Sequence, residues 1–214
     1  MKILFFGDSI TDMNRNKTAL NGDIYSYGAG FPYIVASRLL SKNPKDYTIV
    51  NRGNGGNTVL ELYARIKKDV WCEKPDILNV LIGINDLCHE SAPGYGLEID
   101  RFEKVYRMII EETLERLPLI KIILCEPFVL KGSVTESRFA EYEEIRNYAK
   151  VVKKLAQQYG LHFISLQEKL DDLAAKYGDE CYLYDGVHPS IVGATFLAEE
   201  WLKGFEKVEK ELKK

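Results

Sequence analysis

The 214-residue chain reads as an α/β protein, a three-layer α/β/α sandwich round a five-stranded parallel sheet in the flavodoxin-like arrangement. Three observations predict it. Five short apolar runs recur along the chain, and longer segments of helical period separate them. The runs are almost continuously hydrophobic instead of alternating, the pattern of strands covered on both faces. Strand–helix–strand units with right-handed crossovers then make the sheet parallel.

The first strand is KILFFG, Lys2 to Gly7, followed by the helix FPYIVASRLLSK. The second, YTIVNRG (Tyr47 to Gly53), leads into TVLELYARIKKDVWCEK. The third, DILNVLIG (Asp76 to Gly83), precedes LEIDRFEKVYRMIIEETLERL. The fourth, IKIILCEP (Ile120 to Pro127), precedes SRFAEYEEIRNYAKVVKKLAQQYG, which stops at Gly160, a residue suited to a helix C-cap. The fifth is LHFISL (Leu161 to Leu166), followed by a further helical stretch. A last helix starts near Ser190, where Ile191, Ala194, Leu197, Ala198, Trp201 and Phe205 recur at three- and four-residue steps on one face. Trp201, Phe205 and Val208 suit inward packing, with a dimer face as the alternative.

Composition bounds the function. A content of 46% hydrophobic and 29% charged residues suits one globular core, so residues 1–214 are expected to form a single domain. A net charge of -3, with Lys and Arg interspersed among Glu and Asp, argues against nucleic acid as a partner. No apolar stretch is long enough to cross a bilayer, so no stable membrane insertion is expected. No secretory leader precedes Lys2, and Cys72, Cys88, Cys125 and Cys181 lie far apart without metal-site or redox spacing; both point to a cytoplasmic protein with reduced thiols.

In an open parallel sheet, ligands gather at the carboxyl ends of the strands. Four polar segments fall there: Gly7-Asp8-Ser9, the glycine-rich NRGNGGNT from Asn51 to Thr58, Gly83-Ile84-Asn85-Asp86, and YDGVHPS from Tyr184 to Ser190. Two long loops, Thr11 to Gly30 and Cys88 to Gly96, suit either a rim over a site or plain exposed connections. Ser9 suits a helix N-cap as well as a nucleophile. Among three histidines, His162 sits inside a strand as a structural residue, and His89 stands in a loop beside Glu90. His188 follows Asp185 by three residues, a spacing that folds the carboxylate back onto the imidazole. Asp185 in a turn and Ser190 at a helix start explain the same residues structurally. The glycine-rich turn lacks dinucleotide-loop spacing; Gly53 offers a backbone N–H without an obstructing side chain. Asn85 offers a neutral amide donor.

Taken together and in this order, the four segments resemble the four blocks of the SGNH hydrolases, the GDSL esterase/lipase family, and they span nearly the whole chain. Ile10 replaces the leucine of the first block, and the G-x-S-x-G elbow of α/β-hydrolases is absent. The resemblance implies a serine esterase with Ser9 as nucleophile, His188 as base and Asp185 as its orienting acid. It implies an oxyanion hole formed by the Ser9 and Gly53 amides and the Asn85 side chain, and neither metal nor organic cofactor. Its expected substrates are small short-chain esters, above all acetyl groups on carbohydrates. Lysophospholipase or thioesterase activity is the enzymatic alternative, and a non-catalytic small-ligand module the other. Tyr25, Tyr27 and Tyr95 suit either a sugar-stacking rim or ordinary packing. A homo-oligomer is compatible with all of these readings.

Overall fold

A computed structural model describes residues 1–91 and 94–212. In chain order it contains β1 (Lys2–Gly7), α1 (Ser9–Asp12), α2 (Phe31–Lys42), β2 (Thr48–Gly53), α3 (Val59–Ile66), β3 (Ile77–Leu81), α4 (Ile84–Ser91) and α5 (Ile99–Arg116). There follow β4 (Lys121–Cys125), α6 (Phe139–Tyr142), α7 (Ile145–Gln158), β5 (His162–Ile164), α8 (Gln167–Tyr177) and α9 (Ile191–Leu212). The five strands form one parallel sheet in the order β2-β1-β3-β4-β5. The direction of winding reverses between β1 and β3, which opens a crevice at their carboxyl ends.

Alternation along β1 assigns the layers. The Phe5 ring meets Phe31 of α2 edge-on at 5.3 Å and Trp201 of α9 at 4.9 Å. Its neighbour Phe6 faces the opposite side, where the Arg65 guanidinium of α3 lies 4.5 Å over the ring. Trp201, Phe205 and Val208 are buried, so this face of α9 packs inward. A polar tie locks it: the Trp201 indole N–H donates to Asn79 Oδ1 at 2.9 Å within the core. Each such aromatic contributes about 1.5–3 kcal/mol by leaving water.

Registration levels the three strands that matter here. Gly7 stands opposite Gly53 of β2 and Leu81 of β3, so the segments leaving β1, β2 and β3 emerge side by side.

Three boundaries differ from the pattern-based expectation. The fifth strand is only His162–Ile164, because the Leu166 and Gln167 amides donate to Glu126 Oε2 at 2.6 and 3.0 Å and start α8. The segment 137–160 is not one helix: Arg138 has a non-helical φ of -133°, and short α6 precedes α7. Finally, α4 runs through Ser91, so Cys88 is helical; residues 92 and 93 and the His89 side chain lie outside the described set. His162 pairs with Glu211 of α9 at 3.2 Å, a structural contact. Among the described residues no helix is long and apolar enough to cross a membrane.

Candidate active site

The chain leaves β1 through Gly7, where an added Cβ would lie 2.4 Å from Thr11 Oγ1 and 2.5 Å from Leu81 O. Only glycine lets the backbone turn so tightly there. Asp8 caps α1, its Oδ1 accepting the Ile10 N–H at 2.9 Å. Ser9 is therefore the first helical residue and not the cap, and its hydroxyl is left for another partner.

That partner comes from the far end of the chain. Ser9 Oγ stands 2.9 Å from His188 Nε2, and His188 Nδ1 stands 2.7 Å from Asp185 Oδ2. An ionised carboxylate only accepts, so Nδ1 carries the proton and Nε2 faces the serine as acceptor. Asp185 Oδ1 takes the backbone N–H groups of Val187 at 2.9 Å and His188 at 2.7 Å. Burial resists ionisation of Asp185, yet the two backbone donors and the His188 ring together hold its pKa below the ordinary value.

The loop carrying this pair is pinned. Leu183 and Pro189 form an antiparallel bridge, and the Ser190 N–H donates to Tyr182 O at 2.9 Å. The segment after β4 holds it from outside: Leu130 N–H donates to Gly186 O at 2.9 Å and Val134 N–H to Asp185 O at 3.0 Å. Gly186 has φ +94°, and an added Cβ would meet Thr135 Oγ1 at 2.2 Å. The Tyr184 ring stacks on His188 at 5.9 Å and 20°.

Asn85 lies in the first turn of α4, and its Nδ2 donates to Asn57 O at 2.9 Å, which leaves one amide proton for a ligand. Asp86 accepts the Val59 N–H through both oxygens at 3.0 and 3.2 Å, tying the start of α3 to that of α4. Burial raises Asp86 to about 8, and the nearby Asp8 charge adds to the rise against the Val59 bond. Burial likewise raises Asp8 to about 7, opposed by the Ile10 amide and the His188 charge.

Gly53 requires a correction. Its N–H already donates to Asn51 Oδ1 at 2.8 Å, and its Cα packs against the Asp12 backbone, where an added Cβ would meet Asp12 N at 2.3 Å. With that bond made, Gly53 has no amide left to offer. The open positions lie further on. An added Cβ at Gly55 would come within 3.8 Å of Ser9 Cβ, whereas Gly56, at φ +78°, has nothing within 4 Å. The Gly55 N–H is engaged by Asp12 Oδ2 at 2.9 Å. Of the rim aromatics, Tyr27 is buried while Tyr25 and Tyr95 are exposed.

Residues 5–195 match the GDSL-like Lipase/Acylhydrolase family. The chain belongs to that family. An acetylxylan esterase of Geobacillus stearothermophilus is 33% identical over 213 residues, covering 96% of this chain and 94% of the relative. The solved structure of Axe2, an acetylxylan esterase from Geobacillus stearothermophilus, is 31% identical with a TM-score of 0.85, covering 95% of this chain and 93% of that one. Catalytic mutants solved for that esterase replace a serine, an aspartate and a histidine. A GDSL-like protein of Parabacteroides merdae superposes with a TM-score of 0.90 at 32% identity, covering 95% of this chain and 94% of its own. As a GDSL-family member, the chain is a carboxylic ester hydrolase.

Proposed function

We propose that the chain is a serine deacetylase that removes acetyl groups from carbohydrate esters, with Ser9 as nucleophile, His188 as general base and acid, and Asp185 as the residue that orients and charges the base. The observation that carries this reading is the unbroken relay from Ser9 Oγ through the imidazole to Asp185 Oδ2, at 2.9 and 2.7 Å. Its acetyl and sugar specificity is supported by the acetylxylan esterase relative.

Ser9 Oγ attacks the ester carbonyl as its proton passes to His188 Nε2. The imidazolium is stabilised by Asp185 and returns the proton to the departing sugar hydroxyl. Water then attacks the acetyl-serine through the same base and releases acetate. Charge on the carbonyl oxygen is met by the Ser9 amide, the free Asn85 amide proton and a backbone N–H of the turn after β2, for which Gly56 replaces Gly53. The relay stands near the surface, with the His188 side chain 29% exposed, as suits an acyl group carried on a bulky sugar.

This reading treats residues 1–214 as one domain needing only an ester and water, without nucleic acid, metal or organic cofactor. Cys72, Cys88, Cys125 and Cys181 stand outside any disulfide, which favours a reducing, cytoplasmic setting. The test is a panel of p-nitrophenyl esters from acetyl upwards beside an acetylated xylo-oligosaccharide, with Ser9→Ala as control. Acetyl esters are turned over fastest, and Ser9→Ala abolishes turnover without changing the circular dichroism spectrum. A preference for long acyl chains, or activity persisting in Ser9→Ala, overturns the reading.

A further inference from the structure

A second concavity, of about 580 Å³, opens beside the turn that follows β2. Its volume falls within the ordinary range of small-molecule pockets. Its lining is unusual for its charge: Arg15, Lys17, Arg52, Arg65 and Lys68 contribute five cations, against Asp69 and Glu73.

Both lining acids are already matched. Asp69 Oδ2 accepts from Arg65 at 2.6 Å. Glu73 accepts from Arg52 at 2.6 Å and takes a second cation, Lys2, at 3.2 Å. Behind the wall one more carboxylate, Asp12, stands 3.3 Å from Lys17 and 3.9 Å from Arg15. Arg15 and Lys17 therefore share one acid and Lys68 adds a further cation, so the cavity keeps an excess of positive charge.

Part of that charge is fixed in place. Arg65 donates to Gly7 O at 3.0 Å, Arg52 O at 2.8 Å and Asn57 Oδ1 at 2.7 Å. Arg15 donates Nε–H to Gly53 O at 2.8 Å, and its side chain is only 8% exposed. Burial, and after it repulsion from Arg52 and Arg65, lowers the Arg15 pKa although Asp12 counters. An anion entering the cavity would relieve that crowding with Arg15 and Arg65 already held in place.

The cavity shares a turn with the nucleophile. Asn54 lines it, and the next residue is Gly55, whose added Cβ would approach Ser9 Cβ to 3.8 Å. Arg65 holds the carbonyl of Gly7, two residues before Ser9.

We propose that this cavity is an anion subsite, taking a negatively charged substituent, carboxylate or sulfate, on the acetylated sugar that the triad deacetylates. The substrate part rests on the deacetylase reading above; the binding part does not. Binding is measured first, by calorimetry on the Ser9→Ala protein with D-glucuronate, glucose 6-sulfate and neutral glucose as probes. At least one anionic probe binds more than about tenfold tighter than glucose, and its affinity falls with added salt. In a background also carrying Lys17→Ala and Lys68→Ala, two exposed positions, that affinity drops about five- to tenfold. Anionic probes binding no better than glucose, or binding unmoved by the two lysine substitutions, overturn the subsite. Which probe wins separates carboxylate from sulfate. Turnover is measured second, as the ratio of kcat/KM on a uronic-acid-bearing acetylated oligosaccharide to that on a neutral one. The Lys17→Ala, Lys68→Ala protein with intact Ser9 lowers that ratio about fivefold; an unchanged ratio refutes the substrate role. Lysine-dependent binding with no turnover of either sugar would sink the deacetylase reading and leave the anion site standing.

Discussion

Two carboxylates flank the candidate catalytic serine and behave in opposite ways. Asp185, in the loop before α9, receives Val187 N–H, His188 N–H and His188 Nδ1–H, all within 2.9 Å. Asp8, in the turn after β1, receives the Ile10 N–H at 2.9 Å, and its Oδ2 is buried without a hydrogen-bond partner. Both are buried, yet Asp185 is held below the ordinary carboxylate range while burial lifts Asp8 to about 7. Depth and donors act together: Asp8 lies deeper, and its carboxylate receives one amide where that of Asp185 receives three donors, so Asp185 keeps its charge more readily. Only the loop near the C-terminus supplies a standing anion for an imidazolium; the turn near the N-terminus supplies a shape.

The sharpest way to break this contrast is to neutralise each acid in turn. Asp185→Asn keeps an oxygen for the two backbone donors but offers the ring an amide. It should lower kcat for p-nitrophenyl acetate about ten-thousand-fold, the scale of a triad whose base loses its orienting acid. Asp8→Asn keeps the bond to Ile10, and its kcat should fall less than about tenfold; equal losses in the two variants would erase the distinction. Between them lies Asn85→Ala, expected to cost about a hundred- to a thousand-fold in kcat with KM nearly unchanged, as for a donor acting on developing charge.

The contrast also has a sign in stability. Below pH 3.8 both folded and unfolded Asp8 hold the proton; between 3.8 and about 7 only the folded protein does. Folding stability from this group is therefore full at acid pH and is lost as pH rises through that window. Asp86 acts in the same direction up to about 8. Melting temperatures of wild type and Asp8→Asn, recorded from roughly pH 4 to pH 9, should diverge in favour of the variant as pH rises and then run parallel. A gap that shrinks with pH would reverse the assignment. Asp185 contributes oppositely: its pKa is depressed on folding, so its contribution is present above the ordinary carboxylate value and fades as pH falls through the folded one. The smallest effect belongs to Tyr184, stacked on the ring at 5.9 Å. Tyr184→Leu should alter kcat by only a few-fold, through looser positioning of His188.

Much of the sheet was legible because its signals are local. Apolar runs such as ILNVL (Ile77–Leu81) are buried along their whole length, which is what continuous hydrophobicity encodes. Strand topology made the place of Ser9 legible, since it directly follows β1, whereas Asp185 and His188 follow α8 and were legible only through the four blocks taken in order. Gly53 was misread because its amide is claimed by a side chain two residues away, a local turn that glycine spacing does not reveal. Asp8 as the cap of α1 was equally hidden, because adjacent Asp and Ser compete for that role. The basic cavity was invisible: its cations come from positions 15, 17, 52, 65 and 68 and form no run of charge.

The hydrogen bond between Ser9 and His188 joins groups 179 positions apart, one next to the first strand and the other just ahead of the final helix. A nascent chain on the ribosome thus carries its hydroxyl long before the ring that activates it has been made, and no truncated product lacking that last segment can have the complete relay. Recovery of ester turnover after dilution from denaturant would then report the docking of that last segment onto the rest of the fold.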